Sequence, residues 1–465
     1  MAKLPSFKIT CLVSLFILFF FSCSQLREIE QAECALAEID FTLDNNLETY
    51  SGTMKFHGTN DQPAQLESIG FFLLPERTGG NLEISKVSTE QSEPQWKVEN
   101  SILSIHFTQP IQPGGNYDVQ LAFSGSIPRT LKLPGIFFRT DNTVALGHFY
   151  PMPIPLDGQG SFAPVEPSSH GDPIESILSR FDVAFQAPSR LRFAASGPVI
   201  RESETGDRIN CRVSTGPVRD FYLLGSAEWD MVTKVHEGIR ISSWYPEGKM
   251  QQGIDSLYAM EEALKIFEKH LGPYPYNTLS IVSGPLGPQA GGMEYPGIIV
   301  LNDNYYTNED SHALQIVIAH EIGHQWFYNL VGNDPVMEPW LDESFAQYAT
   351  WLYFNKLYGE RAGNSMITSF QNRWTRVRKA PIPLNLSVHE YEGKEYGAIP
   401  YGKGPLFLFT LRSYFGEELF EQFILDYQRT FRWDRMDTEK LRDYMYGYFG
   451  EKGDDLFREW VYGET

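Results

Sequence analysis

His320-Glu321-Ile322-Gly323-His324 places two imidazoles and a carboxylate inside one apolar run. Side chains four apart on a helix stand one above the other on the same face. Two neutral imidazole nitrogens at that spacing can share one zinc ion, and a glutamate between them can serve an activated water as general base. The flanks read as a buried helix. Asp310 or Ser311 caps its start, Leu314, Ile316, Val317, Ile318, Ile322, Trp326 and Phe327 cover several faces, and Gly332 ends it. Polar groups in such a helix need partners, since burying one unpaired costs about 2–7 kcal/mol, and a metal satisfies all three at once. The plainer alternative is a buried helix whose imidazoles bond to backbone.

A third ligand is needed, and the sequence offers two. The turn Gly332-Asn333-Asp334-Pro335 leads to a second helical pattern from Pro339 through Leu357, which carries Trp340-Leu341-Asp342-Glu343-Ser344-Phe345-Ala346. Two antiparallel helices joined this way bring Glu343 back over the histidine pair and leave a fourth metal position open, as hydrolytic zinc requires. Asp342 is the rival, but its side chain is shorter and leaves the helix about 100° away.

Together these segments resemble the zinc site of the aminopeptidase N family, which includes leukotriene-hydrolase-type enzymes. Two more motifs agree, in the family's order: Gly291-Gly292-Met293-Glu294-Tyr295 resembles its exopeptidase motif, and Tyr401-Gly402-Lys403-Gly404 resembles the segment with its catalytic tyrosine. The resemblance runs from about Met250 to the C-terminus. It implies one zinc ion held by His320, His324 and Glu343, with Glu321 taking the proton of the attacking water and passing it to the leaving amine. Tyr401, with Tyr396 as second candidate, would donate to the oxyanion. Glu294, on a backbone edge formed by Gly291, Gly292 and Met293, would hold a free α-ammonium by a charge-assisted hydrogen bond. A Gly-rich edge also lets a substrate backbone pair closely. The chain departs from the family at Tyr295, where Asn is usual. Lys403 reads as a solvated cation without a role.

The N-terminus reads as an export signal. Lys3 and Lys8 precede an apolar run of thirteen residues, Ile9 to Phe21, too short to span a bilayer. Ser22-Cys23 then resembles a bacterial lipoprotein cleavage box, although Phe20 stands where Leu is commoner. That resemblance implies cleavage before Cys23, lipid attachment there, and membrane tethering on the periplasmic or surface side. Residues 23–34 read as a linker. Cys34 and Cys211 remain in the mature body, free to pair or to stay apart. The formal net charge is −21, and losing Lys3 and Lys8 with residues 1–22 makes it −23. Such an acidic surface argues against nucleic acid and anionic lipid as partners and is compatible with peptides.

Two regions follow. Residues 35–246 read as β-rich: alternating runs such as Gly52–His57, Ile102–Phe107, Tyr117–Phe123, Phe181–Phe185, Asn210–Ser214 and Ile239–Trp244 are separated by turn residues. The Pro/Gly/Ser-rich stretch Phe149–Pro173 reads as a loop that shapes a cleft or packs on the surface. Residues 247–465 turn helical, with candidates at Tyr258–His270, Ala362–Arg378, Lys403–Tyr414, Glu417–Phe431 and Thr438–Phe449. The expected fold is α+β multidomain: an antiparallel β-sheet domain followed by a thermolysin-like, mainly helical zinc peptidase domain. The family's C-terminal helical domain has no counterpart here, which implies a more open site or closure by a partner. The expected function is zinc-dependent aminopeptidase. The alternatives are a zinc endopeptidase of the same fold and a catalytically silent, lipid-anchored peptide-binding scaffold.

Overall fold

Ala35–Leu43 shows how the first region is built. Its inward residues Ala37, Ile39, Phe41 and Leu43 are buried while Glu38, Asp40 and Thr42 are exposed, the period-2 pattern of a sheet with one wet face. Phe41 packs on Phe149 and Phe185 at ring separations of 4.8 and 5.5 Å. Burying each such side chain is worth about 1.5–3 kcal/mol. The computed structural model describes residues 26–27, 31–89, 93–130, 136–157, 159–162, 164–168, 170–287, 290–307, 311–377 and 381–464. The signal reading on residues 1–22 and the lipidation reading at Cys23 lie outside the described residues.

A seven-stranded sheet runs in the order Val199–Thr205, Arg208–Ser214, Ser179–Pro188, Ala35–Leu43, Thr49–Thr59, Asn116–Ser126, Asn81–Thr89. It is antiparallel except where Ala35–Leu43 runs parallel to Ser179–Pro188, with Phe41 opposite Phe185. Two four-stranded sheets complete the region. Both body cysteines are free, Cys34 partly exposed and Cys211 buried.

One mixed sheet links the regions. Its order is Trp229–His236, Ile239–Pro246, Thr278–Gly284, Ile298–Asn302, Gly292–Met293. Ile239–Pro246 pairs parallel with Thr278–Gly284, so this sheet crosses the division read at 246/247. The cause is tertiary: a hairpin at Glu237-Gly238 feeds two strands into a sheet whose other members come later, a pairing that alternation alone does not reveal.

Nine helices follow among the described residues: α1 (Met250–Leu271), α2 (Asn304–Thr307), α3 (Ser311–Gly323), α4 (Trp340–Tyr358), α5 (Glu360–Trp374), α6 (Glu395–Ala398), α7 (Gly404–Phe415), α8 (Glu417–Thr430) and α9 (Thr438–Phe457). The last passes a non-helical Gly450 at φ +59°. A π-helical stretch, Ile399–Lys403, leads into α7. From Trp340 to Phe354 every residue of α4 is buried, polar ones included. The helix expected to reach Gly332 stops at Gly323. Asn329 accounts for the early end: its backbone N–H and its Nδ2 both donate to the carbonyl of His324, at 3.0 and 3.2 Å, and close the turn.

Candidate active site

Small residues let α3 and α4 approach. A Cβ on Gly323 would lie 3.0 Å from Cβ of Ala349 and 3.3 Å from Cα of Ala346, so only glycine fits there without displacing α4. The close crossing sets Glu343, in the first turn of α4, over the imidazoles of α3. Glu343 Oε2 lies 3.1 Å from His320 Nε2 and 3.5 Å from His324 Nε2, and the two Nε2 atoms are 3.4 Å apart. Ligand atoms of this trio all fall within 4.8 Å of one another.

The opposite edge of each ring is held. His324 Nδ1 lies 3.2 Å from the carbonyl of Phe327, and His320 Nδ1 lies 3.2 Å from the amide of Gln347. A carbonyl beside Nδ1 takes that nitrogen's proton in a hydrogen bond and leaves His324 Nε2 as the coordinating atom, while the Gln347 amide holds the orientation of the His320 ring. Gln347 follows Glu343 by four residues on the same face of α4, so one helix supplies both a ligand and the support of another. Asp342 turns away: its Oδ1 accepts the backbone N–H of Glu343 at 2.7 Å, and it stands outside the trio.

The donor set fits zinc. Glu343 Oε2 is buried and makes no hydrogen bond although two imidazoles face it. Carboxylates also outnumber cations. Burial, followed by the charge of Glu294, pushes Glu321 well above the usual carboxylate range. Burial, and less so the charge of Glu343, raises Glu294 against the pull of His324. Burial alone would raise Glu343 too, but its contacts with both imidazoles outweigh that and hold it well below. A divalent cation among the Nε2 atoms and Oε2 relieves this excess of negative charge.

Glu294 follows the short strand Gly292–Met293, which pairs with Ile298–Asn302 on one side and ends the sheet on the other. Its Oε1 lies 3.9 Å from His324 Nε2. A Cβ on Gly292 would sit 2.5 Å from Glu321 Oε1, so this backbone and the glutamate share space only glycine leaves. Gln325 and Asn329, which the sequence reading did not single out, pin the loop: Gln325 bonds the Tyr295 carbonyl at 3.1 Å and the Gly297 N–H at 2.9 Å, and Asn329 bonds the Glu294 carbonyl at 2.8 Å. Tyr295 stacks on Tyr222 at 4.1 Å and 7°. Its aromatic ring thus fastens the loop to the first region.

Tyr401 is brought into the site, its hydroxyl against Glu343 Oε1. Tyr396 stands one step back, its hydroxyl 3.4 Å from that of Tyr401. Lys403 corrects the expectation of a solvated cation: it is buried, and its Nζ donates to the carbonyl of Ile382 at 2.6 Å. The π-helical turn ahead of α7 rotates this side chain inward. A cleft of about 900 Å³ joins these groups and is also lined by His170 and Gly171, from the loop read as shaping a cleft, and by Met293 and Gly291.

Residues 256–460 match the Peptidase family M1 domain. The match falls within the helical region. Aminopeptidase M1-B of Oryza sativa subsp. japonica is 25% identical over 311 residues, covering 62% of this chain and 34% of that protein. Probable aminopeptidase 1 of Sulfurisphaera tokodaii is 22% identical over 90% of this chain and 52% of its own length. Leukotriene A-4 hydrolase of Xenopus laevis is 30% identical over 47% of this chain and 37% of that protein. The chain thus spans about a third to a half of the curated M1 relatives it matches. An M1 zinc metallopeptidase from Deinococcus radiodurans shares the fold across both regions, with a TM-score of 0.69 and 20% identity over 94% of this chain and 96% of that one. A mutant of that protein bound to a Tyr-Ser-Ala substrate aligns with a TM-score of 0.69 at 21% identity, covering 95% of this chain and 97% of that one.

Proposed function

We propose that this chain is an M1-type, zinc-dependent aminopeptidase that removes the first residue from peptides with a free amino terminus. Glu294 carries the reading: a buried carboxylate on an open sheet edge, 3.9 Å from the imidazole of His324. A substrate strand added to that edge would place its α-ammonium against Glu294 and its first carbonyl near the histidines. Zinc held by His320, His324 and Glu343 supplies Lewis acidity and water activation. Glu321, raised by burial, holds a proton more readily than an ordinary carboxylate, which suits a base that must later hand it to the leaving amine. Tyr401 donates to Glu343 at rest and is within reach of the developing oxyanion.

A tripeptide amide with a free terminus, compared with its N-acetylated form, tests this directly. The free form should be cleaved after its first residue and the acetylated form hardly at all. Equal cleavage makes the protein an endopeptidase, and failure to cleave either with zinc loaded makes it a binding scaffold. Glu321→Gln should keep zinc and lose about 10²–10⁴-fold in kcat, and full activity there refutes the general-base role.

We propose also that the chain is exported and tethered by lipid at Cys23. The basic start, the thirteen-residue apolar run and the Ser22-Cys23 junction support this. No helix among the described residues is long and apolar enough to cross a membrane. Acyl chains anchor at about 0.8 kcal/mol per buried CH₂, so several hold stably. Incorporation of labelled palmitate in a bacterial host should be lost in Cys23→Ala, and equal labelling of both forms would remove the anchor.

A further inference from the structure

The cleft has two electrically distinct ends. At one end, Glu294 Oε1 lies 3.9 Å from His324 Nε2. On the other side, Arg373 stands over the ring of Tyr401 with its guanidinium carbon 5.9 Å from the centroid, and that ring lies 5.9 Å from the ring of His320. Arg376 and Lys394 line the same cleft and are exposed to solvent. None of these three side chains makes an ion pair or hydrogen bond among the described residues. Glu392 and Glu395 flank Lys394 in sequence, but Glu395 is turned to the backbone N–H of Glu392 at 2.9 Å and neither lines the cleft. In a chain with 59 acidic and 38 basic residues, three cations without an ion pair lining one cleft are out of keeping with the surface at large.

A short peptide is itself a dipole. On the aminopeptidase reading, which this inference rests on, the ammonium lies at Glu294 and the first carbonyl lies between the imidazoles and Tyr401. The chain after the scissile bond then runs toward Arg373. An extended peptide advances about 3.3–3.6 Å per residue, so the cations meet the second or third residue. Arginine forks fit carboxylates there, and a lysine adds a point charge.

We infer that Arg373, Arg376 and Lys394 form a carboxylate-recognition subsite on the leaving side of the cleft, selecting peptides with a negative charge one or two residues beyond the cleaved bond. That charge has two sources: the free C-terminus of a di- or tripeptide, or an Asp or Glu side chain in a longer one.

Two substrate pairs separate the sources. The first is a tripeptide such as Ala-Ala-Ala as free acid and as C-terminal amide. The second is Ala-Glu-Ala-amide beside Ala-Gln-Ala-amide. The zinc-loaded protein should favour the charged member of at least one pair by about tenfold or more in kcat/KM, the scale of a charge-assisted hydrogen bond, and high salt should erode the preference. In Arg373→Gln/Arg376→Gln the charged-to-neutral ratio should fall toward one, whatever happens to amide turnover. Arg376→Glu/Lys394→Glu, altered only at exposed positions, should reverse the ratio for Ala-Lys-Ala-amide against Ala-Gln-Ala-amide. Dissociation constants for the same peptides, measured on zinc-loaded Glu321→Gln, read the ratio without turnover. Ratios near one in both pairs, or ratios unmoved by the substitutions, overturn the subsite. Equal handling of free and N-acetylated peptides would instead sink the aminopeptidase reading, so the two failures are distinguishable.

Discussion

Two clusters of buried charge lie on either side of Tyr295, and they are balanced differently. On the first-region side, His148 Nε2 pairs with Asp220 Oδ2, while Asp220 Oδ1 accepts from Tyr150 at 3.0 Å and from the Phe221 N–H at 2.6 Å. Every oxygen of that carboxylate has a partner. On the helical side, Glu294, Glu321, Asp342 and Glu343 crowd around two imidazoles, and Glu343 Oε2 accepts no hydrogen bond. Burial of charge is common to both clusters. What separates them is the surplus of acceptors, which makes the second a place for a cation and the first a joint that holds two layers together.

The comparison breaks most visibly at Glu343. Glu343→Gln should abolish zinc retention after dialysis and bring peptidase activity to background, a loss beyond about 10³-fold, while circular dichroism stays native. Zinc added to metal-free protein should raise the thermal midpoint of the wild type and leave the variant unmoved, since only a folded site that binds the ion gains from it. A variant that keeps stoichiometric zinc would show that the trio is not the metal centre.

Asp220 is the counterpart. Removing one member of a buried, hydrogen-bonded pair costs about 3–5 kcal/mol, because His148 and Tyr150 lose their acceptor together. Asp220→Ala should therefore lower the unfolding free energy by about that much in urea titration, yet the folded fraction should still bind one zinc. Loss of zinc without loss of stability would reverse the roles assigned to the two clusters.

Much of the metal side was legible in the sequence, and the reason is local. The His320–His324 spacing and the position of Glu343 depend on helical periodicity, which survives without knowledge of tertiary contacts. Gln347 was legible by the same rule, four residues beyond Glu343, had the helix face been followed one turn further. Gln325 and Asn329 were not. A buried amide that clamps a distant loop looks in sequence like any polar residue near a helix end. Asp220 and His148 are 72 positions apart and meet only through sheet pairing, as do the two strands that carry the mixed sheet across residue 246. Arg373 and Lys394 converge because α5 and the loop before α6 face one cleft, a relation no spacing encodes.

Lys403 extends the comparison to a buried charge belonging to neither cluster. Its ammonium donates to the Ile382 carbonyl, and burial pushes its pKa down to about 8, only partly opposed by the charge of Glu459. In the unfolded chain the same group titrates near 10.4. Between those values the unfolded state binds more protons, so folding stability from this group rises with pH: the cost of burying the charge is fully present below about pH 8 and fades toward the unfolded pKa. Lys403→Met removes the titration. It also leaves the Ile382 carbonyl without its donor, but that loss does not vary with pH. The unfolding free energy of the wild type relative to Lys403→Met should therefore improve by about 2 kcal/mol from pH 7.5 to 9.5. Other groups titrate in both proteins and cancel in the difference. A difference that stays flat across that interval would mean Lys403 reaches water, and the inward turn of the π-helical segment would then be no burial of charge at all.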